Sequence, residues 1–353
     1  LIIDARPYLS ALANRAHGKG YENTKDYKNC EIEFMQIENI HHVRESHKKL
    51  MIYVSSKNIR KNLHWTLTLI FSPDLNTNNK WYSNLDSTEW LEMISLILNA
   101  GVRAAQTLLV LKNSHALTHA NLINNFREEE ASLFIAVMAG PTAEICSIAQ
   151  ILIDPYFRTI EGFQVLLEKD WVSFGYQSQL RHGLGKTEFH EPVSNEFSTT
   201  AKTKEKEDQK APIMLQFLDC VHQLIHQFPF AFQFNTKFLQ DIAYYAHTCQ
   251  FGTFLANSYQ VPRKTMLRFA DLFSLGIGQA KLPENTVSLW SFMSSKADEY
   301  FNVFYGTIDI SDMPILIPKT PLKFMRVWEE HYLYYSPYAQ PPYKTDVGIN
   351  FLR

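Results

Sequence analysis

The chain has 353 residues, a length that fits one large or two modest domains. Apolar residues make up 46% and charged residues 20%, which excludes wholesale disorder and allows a core that needs no disulfide staples. A net charge of −2 gives no global positive field of the kind that advertises nucleic-acid binding.

The first half alternates short β-like runs with turn signals. Leu1–Ile3, Glu31–Met35 and Trp65–Phe71 read as strands, and the last alternates apolar residues before stopping at Ser72-Pro73. Asn14 to Gly20 reads as a glycine-bearing connector. Trp90 to Val110 places Leu91, Ile94, Ile97, Leu98 and Val102 at helical spacing and predicts a long buried helix. Residues 112–130 break that pattern, being polar and Asn-rich, and read as an atypical insertion. Ala131 to Ala139 is a short apolar run, and Ile145 to Ile153 a helix stopped by Asp154-Pro155.

The second half reads as mostly helical. Thr159 is a suitable N-cap for a helix over Ile160 to Trp171. Residues 191–209, rich in Ser, Thr, Lys and Glu, read as a mobile loop. Pro212 to Phe228 and Asn235 to Thr248 read as amphipathic helices, with Pro212 at the first helical position and Asn235 as an N-cap. The tail from Pro337 reads as extended. Strands first and helices later fit an α/β or α+β domain. The chain opens without Met at Leu1-Ile2-Ile3, which reads as a fragment.

Few residues announce chemistry by themselves. The four cysteines, Cys30, Cys146, Cys220 and Cys249, form no CxxC pair, and the pattern suits a reduced, cytoplasmic chain. Neither His41-His42 nor Cys220-Val221-His222 has zinc spacing, so no metal and no cofactor is expected. Gly18-Lys19-Gly20 lacks the full GxxxxGK[ST] pattern of a nucleotide loop. Glu128-Glu129-Glu130 reads as a solvated run, and Cys146 as a buried structural thiol. No apolar run approaches the roughly 18 residues of a membrane span, and no signal-peptide pattern is read.

Longer segments are more specific. Asp4-Ala5-Arg6-Pro7, Ala11 to Ala16 and Gly18 to Asn23 come first, then Ile37-Glu38-Asn39-Ile40-His41 and Arg44-Glu45-Ser46. Asp154-Pro155-Tyr156-Phe157-Arg158-Thr159-Ile160-Glu161-Gly162-Phe163 follows, then Glu168 to Gly175, Gln216 to Val221, Phe251 to Leu255 and Val287 to Trp290. In this order they resemble the myotubularin phosphatase domain, from residue 1 to about 335. The resemblance implies an α/β fold with a cysteine-phosphatase-like central mixed sheet flanked by helices, in a single domain over 1–353, truncated at its N-terminus. It also implies removal of the 3-phosphate from phosphatidylinositol 3-phosphate and 3,5-bisphosphate.

The family's catalytic loop reads HCSDGWDRT. Its cysteine attacks phosphorus as a thiolate, so it needs nearby positive charge and backbone N–H groups. The loop opens a helix whose N–H groups and dipole cradle phosphate, its arginine clamps two phosphate oxygens, and an aspartate supplies the leaving-group proton. Here the matching flanks enclose Leu133 to Glu144, with Ile135, Ala136, Val137, Met138, Ala139, Gly140 and Pro141 in place of the loop. No cysteine in the chain has an arginine six positions later, and the loop is about one residue short. No catalytic residue is therefore assigned, and the chain as written is expected to be inactive.

Two origins stand for this loop. One is a natural pseudophosphatase that serves as the binding subunit of an active myotubularin. The other is a frame shift. The family segment SVLVHCSDGW can be encoded AGC GTC CTT GTT CAT TGC AGT GAT GGC TGG, followed by G. Begun one nucleotide later, it reads GCG TCC TTG TTC ATT GCA GTG ATG GCT GGG, which translates as Ala131 to Gly140 without a mismatch. Glu129-Glu130 likewise fits a shifted Gly-Gly. A freely drifting loop has no reason to spell this run.

By position, the resemblance carries headgroup roles onto Asn14, Asn39, Ile40 and Arg181. Amides donate to hydroxyls and phosphate oxygens, and guanidinium forks onto phosphate. The plain alternatives are that Asn14 caps a turn and Arg181 sits in a surface ion pair. Gln177 stands where many members carry a second basic residue. For a longer protein the resemblance implies a phosphoinositide headgroup as ligand, peripheral attachment to endosomal membranes, and homo- or heterodimers with other myotubularins. It also implies an N-terminal lipid-binding module and a C-terminal coiled coil, neither of which is in this sequence.

Overall fold

Four short strands form the framework of the computed structural model: Ile2–Asp4 (β1), Ile32–Phe34 (β2), His115–Thr118 (β3) and Ser132–Ala136 (β4). The structure describes residues 1–16, 20–27, 30–55, 83–110, 115–118, 132–136, 140–173, 176–183, 209–248, 250–255, 286–307 and 315–334. The strand order is β2-β1-β4-β3, and all three pairings are parallel. The expected mixed sheet is thus not found among the described residues. Parallel neighbours need crossovers, and helices fill them here: Tyr8–Ala16 (α1) after β1, and Ile40–Val54 (α2) with Trp90–Val110 (α3) between β2 and β3.

The register puts Ile2 opposite Ile32 and Phe134, and Asp4 opposite Phe34 and Ala136. Beyond β2 the pairing runs on, with Met35 N–H donating to Asp4 O at 2.8 Å and Ile37 N–H to Ala5 O at 2.7 Å. β3 falls inside the 112–130 stretch expected to be irregular. The Trp65–Phe71 strand, most of 191–209 and the tail from Pro337 lie outside the described residues.

Three helices differ from expectation. The connector expected over Asn14 to Gly20 is helical as far as Ala16, because Leu12, Ala13, Arg15 and Ala16 are good helix formers that continue α1 before the first glycine. The helix expected from Ile145 begins at Pro141 and runs to Ile153 (α4), since proline's fixed φ suits a first helical position. Ile213–Gln227 (α7) is buried from Ile213 to Ile225 rather than amphipathic. Among its buried polar side chains, Gln223 donates to Asp219 Oδ1 at 2.8 Å and to Arg326 O at 2.7 Å.

Thr159 caps Ile160–Leu167 (α5), accepting from Gly162 N–H at 2.9 Å. That helix passes into a π-helical turn over Glu168–Ser173, followed by the short helix Ser178–Arg181 (α6). Asn235 Oδ1 accepts from Phe238 N–H at the start of Thr236–Thr248 (α8), as expected of an N-cap.

The chain divides into two compact units. The larger comprises 1–45 and 91–326. Its core joins Ile94, Ile97 and Leu98 of α3, Ile145 and Ile148 of α4, Phe163, Trp171 and the buried face of α7. Arg158 is fully buried there and donates from Nε to Ile151 O at 2.8 Å and from Nη2 to Leu152 O at 3.1 Å, satisfying carbonyls that end α4. The smaller unit comprises 46–90 and 327–353. In it Ser46 donates to Thr88 O at 2.6 Å, and Trp90 and Trp328 are fully buried.

Candidate functional site

β4 and β1 are the two middle strands of the sheet and end side by side, Ala136 opposite Asp4, and α4 begins at Pro141. In open parallel sheets, ligands bind beyond the carboxyl ends of the strands. Asp4 closes β1, is fully buried, and holds Arg6 through a hydrogen bond from Nε to Oδ1 at 2.9 Å and one from Nη2 to Oδ2 at 2.6 Å. Arg6 Nη2 also reaches Gly20 O at 3.2 Å. Arg6 is thereby committed to shaping the β1–α1 turn rather than to a ligand.

Of the positions replacing the family loop, Ile135 and Ala136 end β4, and Gly140 and Pro141 open α4. Val137, Met138 and Ala139 lie outside the described residues. Gly140 is buried and provides no side-chain cap, and Pro141 has no N–H to offer. A phosphate cradle made of backbone donors is one donor poorer for it.

The first turn of α4 also carries Glu144. It is fully buried, and neither carboxyl oxygen has a hydrogen-bond partner among the described residues. Burial pushes its carboxyl well above the usual carboxylate range. Tyr176 and Cys220 feel its charge, and burial likewise pushes the phenol and the thiol up. Cys146, two residues on, is buried with its thiol pushed up by desolvation, so it is no nucleophile.

Arg181 is buried, not in a surface ion pair as the plain alternative had it. Its Nη1 donates to Gln209 O at 2.8 Å and to Gln209 Oε1 at 3.0 Å, and its Nε has no partner among the described residues. Ala211 N–H donates to Arg181 O at 3.0 Å, and a Cβ on Gly140 would meet Ile213 Cγ2 at 3.6 Å. The start of α7 therefore touches both the end of the loop and the Arg181 segment. Gln177, the position of the missing second base, precedes α6 and is half-buried.

Asn39 serves as an N-cap of α2. Its Oδ1 accepts from His41 N–H at 2.9 Å and His42 N–H at 3.2 Å, which leaves its Nδ2. Ile40 is the first residue of that helix. Asn14 lies in the second half of α1 and is half-buried, so it does not cap a turn. No contact joins Asn14 or Asn39 to Arg181 among the described residues.

Sequence reasoning missed Glu144 and Gln209. Reading Pro141 as a helix start would have put Glu144 in a first turn, whereas nothing in the sequence marks Gln209. Among the described residues no group of three His, Cys, Asp or Glu side chains is placed to hold a metal ion. No helix among them is long and apolar enough to cross a membrane.

Comparison with known proteins follows the same segments. A family profile described as myotubularin-like phosphatase domain matches residues 1–262. The chain is similar to the phosphatidylinositol-3,5-bisphosphate 3-phosphatase MTMR2 of Mus musculus, 34% identical over 342 residues, covering 96% of this chain and 42% of the relative. It is similar to myotubularin of Xenopus laevis, 33% identical over 336 residues, covering 95% and 44%. It is also similar to the phosphatidylinositol-3-phosphate phosphatase MTMR7 of Homo sapiens, 33% identical over 344 residues, covering 96% and 42%. The chain thus spans about two fifths of the length of these relatives. With the profile matched over most of its length, the chain belongs to the myotubularin-like phosphatase domain family.

Proposed function

We propose that this chain is a phosphatase domain of cysteine-phosphatase-like type, from a protein that removes the 3-phosphate of phosphoinositides, and that as written it is catalytically inactive. The observation that carries this reading is the link from β4 to α4. β4 lies in the middle of the parallel sheet, and the sequence from Ile135 to Pro141 has neither cysteine nor arginine where thiolate attack and bidentate phosphate binding need them. The names of the relatives support the substrate class. Asn39, Ile40, Asn14 and Arg181 are the headgroup residues in this reading, and Arg181 retains a buried donor for it.

The frame shift over residues 131–140 is the preferred origin, because the shifted codons spell the whole run. A second reading, a pseudophosphatase acting as the binding subunit of an active myotubularin, draws support from the altered loop's neighbours. β4 keeps its register with β1 and β3, and α4 packs its buried face, with no catalytic residue between them. In either case the longer protein acts in the cytoplasm, peripherally on endosomal membranes.

Phosphate release from phosphatidylinositol 3-phosphate tests the reading. The chain is expected to release none, and a variant carrying HCSDGWDRT between β4 and α4 is expected to turn over. A restored variant that folds and stays inactive refutes the enzymatic parentage. The transcript across residues 111–145 separates the two origins: an in-frame Ala131 to Gly140 without a nearby indel or exon junction favours the pseudophosphatase.

A further inference from the structure

Arg181 is held in an unusual way for a buried cation. Its relative exposure is 9%, and among the described residues no carboxylate lies within ion-pair distance. Both N–H bonds of Nη1 are used by one residue, Gln209, through its backbone and side-chain oxygens. A guanidinium is planar with its donors in a rigid fork, so fixing Nη1 fixes the direction of the opposite edge, formed by Nε and Nη2. On that edge the buried Nε–H has no partner. A buried donor left unpaired costs about 1–3 kcal/mol, which a charged acceptor on that edge removes.

We propose that Gln209 is a positioning residue, holding one side of the Arg181 guanidinium so that its Nε–Nη2 edge forks onto a phosphate monoester. The inference rests on the headgroup reading of Arg181 and adds what aims it. Nη1 is neutralised only by dipoles, so the positive charge remains available for the ligand, which a carboxylate at position 209 would quench. Ala211 N–H on Arg181 O ties the same two segments a second time, so the clamp does not depend on the Gln209 side chain for folding.

The test is calorimetric titration of the full chain with water-soluble phosphatidylinositol 3-phosphate, phosphatidylinositol 3,5-bisphosphate and inorganic phosphate. Gln209→Met preserves volume and removes the side-chain acceptor. It is expected to weaken phosphoinositide binding about tenfold, close to one charge-assisted hydrogen bond, with a thermal melt that stays cooperative and falls by only a few degrees. Arg181→Ala is expected to weaken it further, and Gln209→Met is expected to add nothing in the Arg181→Ala background, since the two act through one group. Gln209→Asn, one methylene too short to reach Nη1, is expected to match Gln209→Met.

If Arg181→Ala leaves binding unchanged, or the parent chain binds none of the three probes, the headgroup reading falls and this inference with it. If Arg181→Ala weakens binding while Gln209→Met does not, or their effects simply add, the headgroup reading stands and the positioning role is overturned. Weakening of inorganic phosphate in parallel supports recognition of the phosphate group itself; weakening confined to the lipids supports recognition of the headgroup.

Discussion

Replacing Glu144 by glutamine should make the stability of this chain less dependent on pH. Glu144 is fully buried in the first turn of α4, with both oxygens unpartnered among the described residues and its pKa raised by desolvation. In the unfolded chain its carboxyl titrates in the ordinary range, about 4.3. The folded state therefore binds more protons than the unfolded state, from that range up to the raised value. Stability falls as pH rises through this window, by about 1.4 kcal/mol for each pH unit, and levels off above it. Tyr176 and Cys220, the neighbours that sense Glu144, have their own pKa values pushed up, so they stay neutral there.

Glu144→Gln keeps the shape and removes the titration. Urea unfolding of both proteins at a series of pH values above about 4.3 should show a gap that moves in favour of the variant as pH rises. A buried amide without partners costs about 1–3 kcal/mol, but that offset is the same at every pH. Asp170 also titrates abnormally and is present in both proteins, so it cancels in the difference. Two stability curves that run parallel across this range would show that Glu144 is solvated or paired, and would refute the reasoning.

Arg158→Leu should destabilise the domain by about 3 kcal/mol, measured by urea unfolding, because it removes two charge-assisted donors and leaves the Ile151 carbonyl without its guanidinium, while Leu152 O keeps the N–H of Leu316. Gly162→Ala should lower the thermal midpoint strongly. Its Cβ would lie 1.9 Å from Tyr156 O, a backbone atom that cannot yield without disturbing the Thr159 cap. A midpoint within a degree or so of the parent's would mean that this turn is looser than described.

What the sequence made legible follows from how local each signal is. The α3 helix was readable at both ends because its apolar spacing is carried through five turns, and Thr159 because capping involves only neighbouring residues. α7 misled because Gln216, Asp219, His222 and Gln223 look like a wet face, yet each is buried by elements distant in sequence. β3 has four residues with no clean alternation, and only its pairing with β4 makes it a strand. At the site, the loss of cysteine and arginine needed only the sequence. That Arg181 is clamped by a residue 28 positions away needed the fold.

The cap at Asn39 has a consequence for any ligand that meets the amide. With its oxygen spent on two backbone N–H groups, the side chain has only hydrogens to give. Such an amide cannot accept a proton from its guest; it rewards oxygens stripped bare. A phosphate monoester loses its second proton near pH 6, so this one side chain would tell the dianion from the monoanion by hydrogen-bond polarity alone, before any difference in charge is felt.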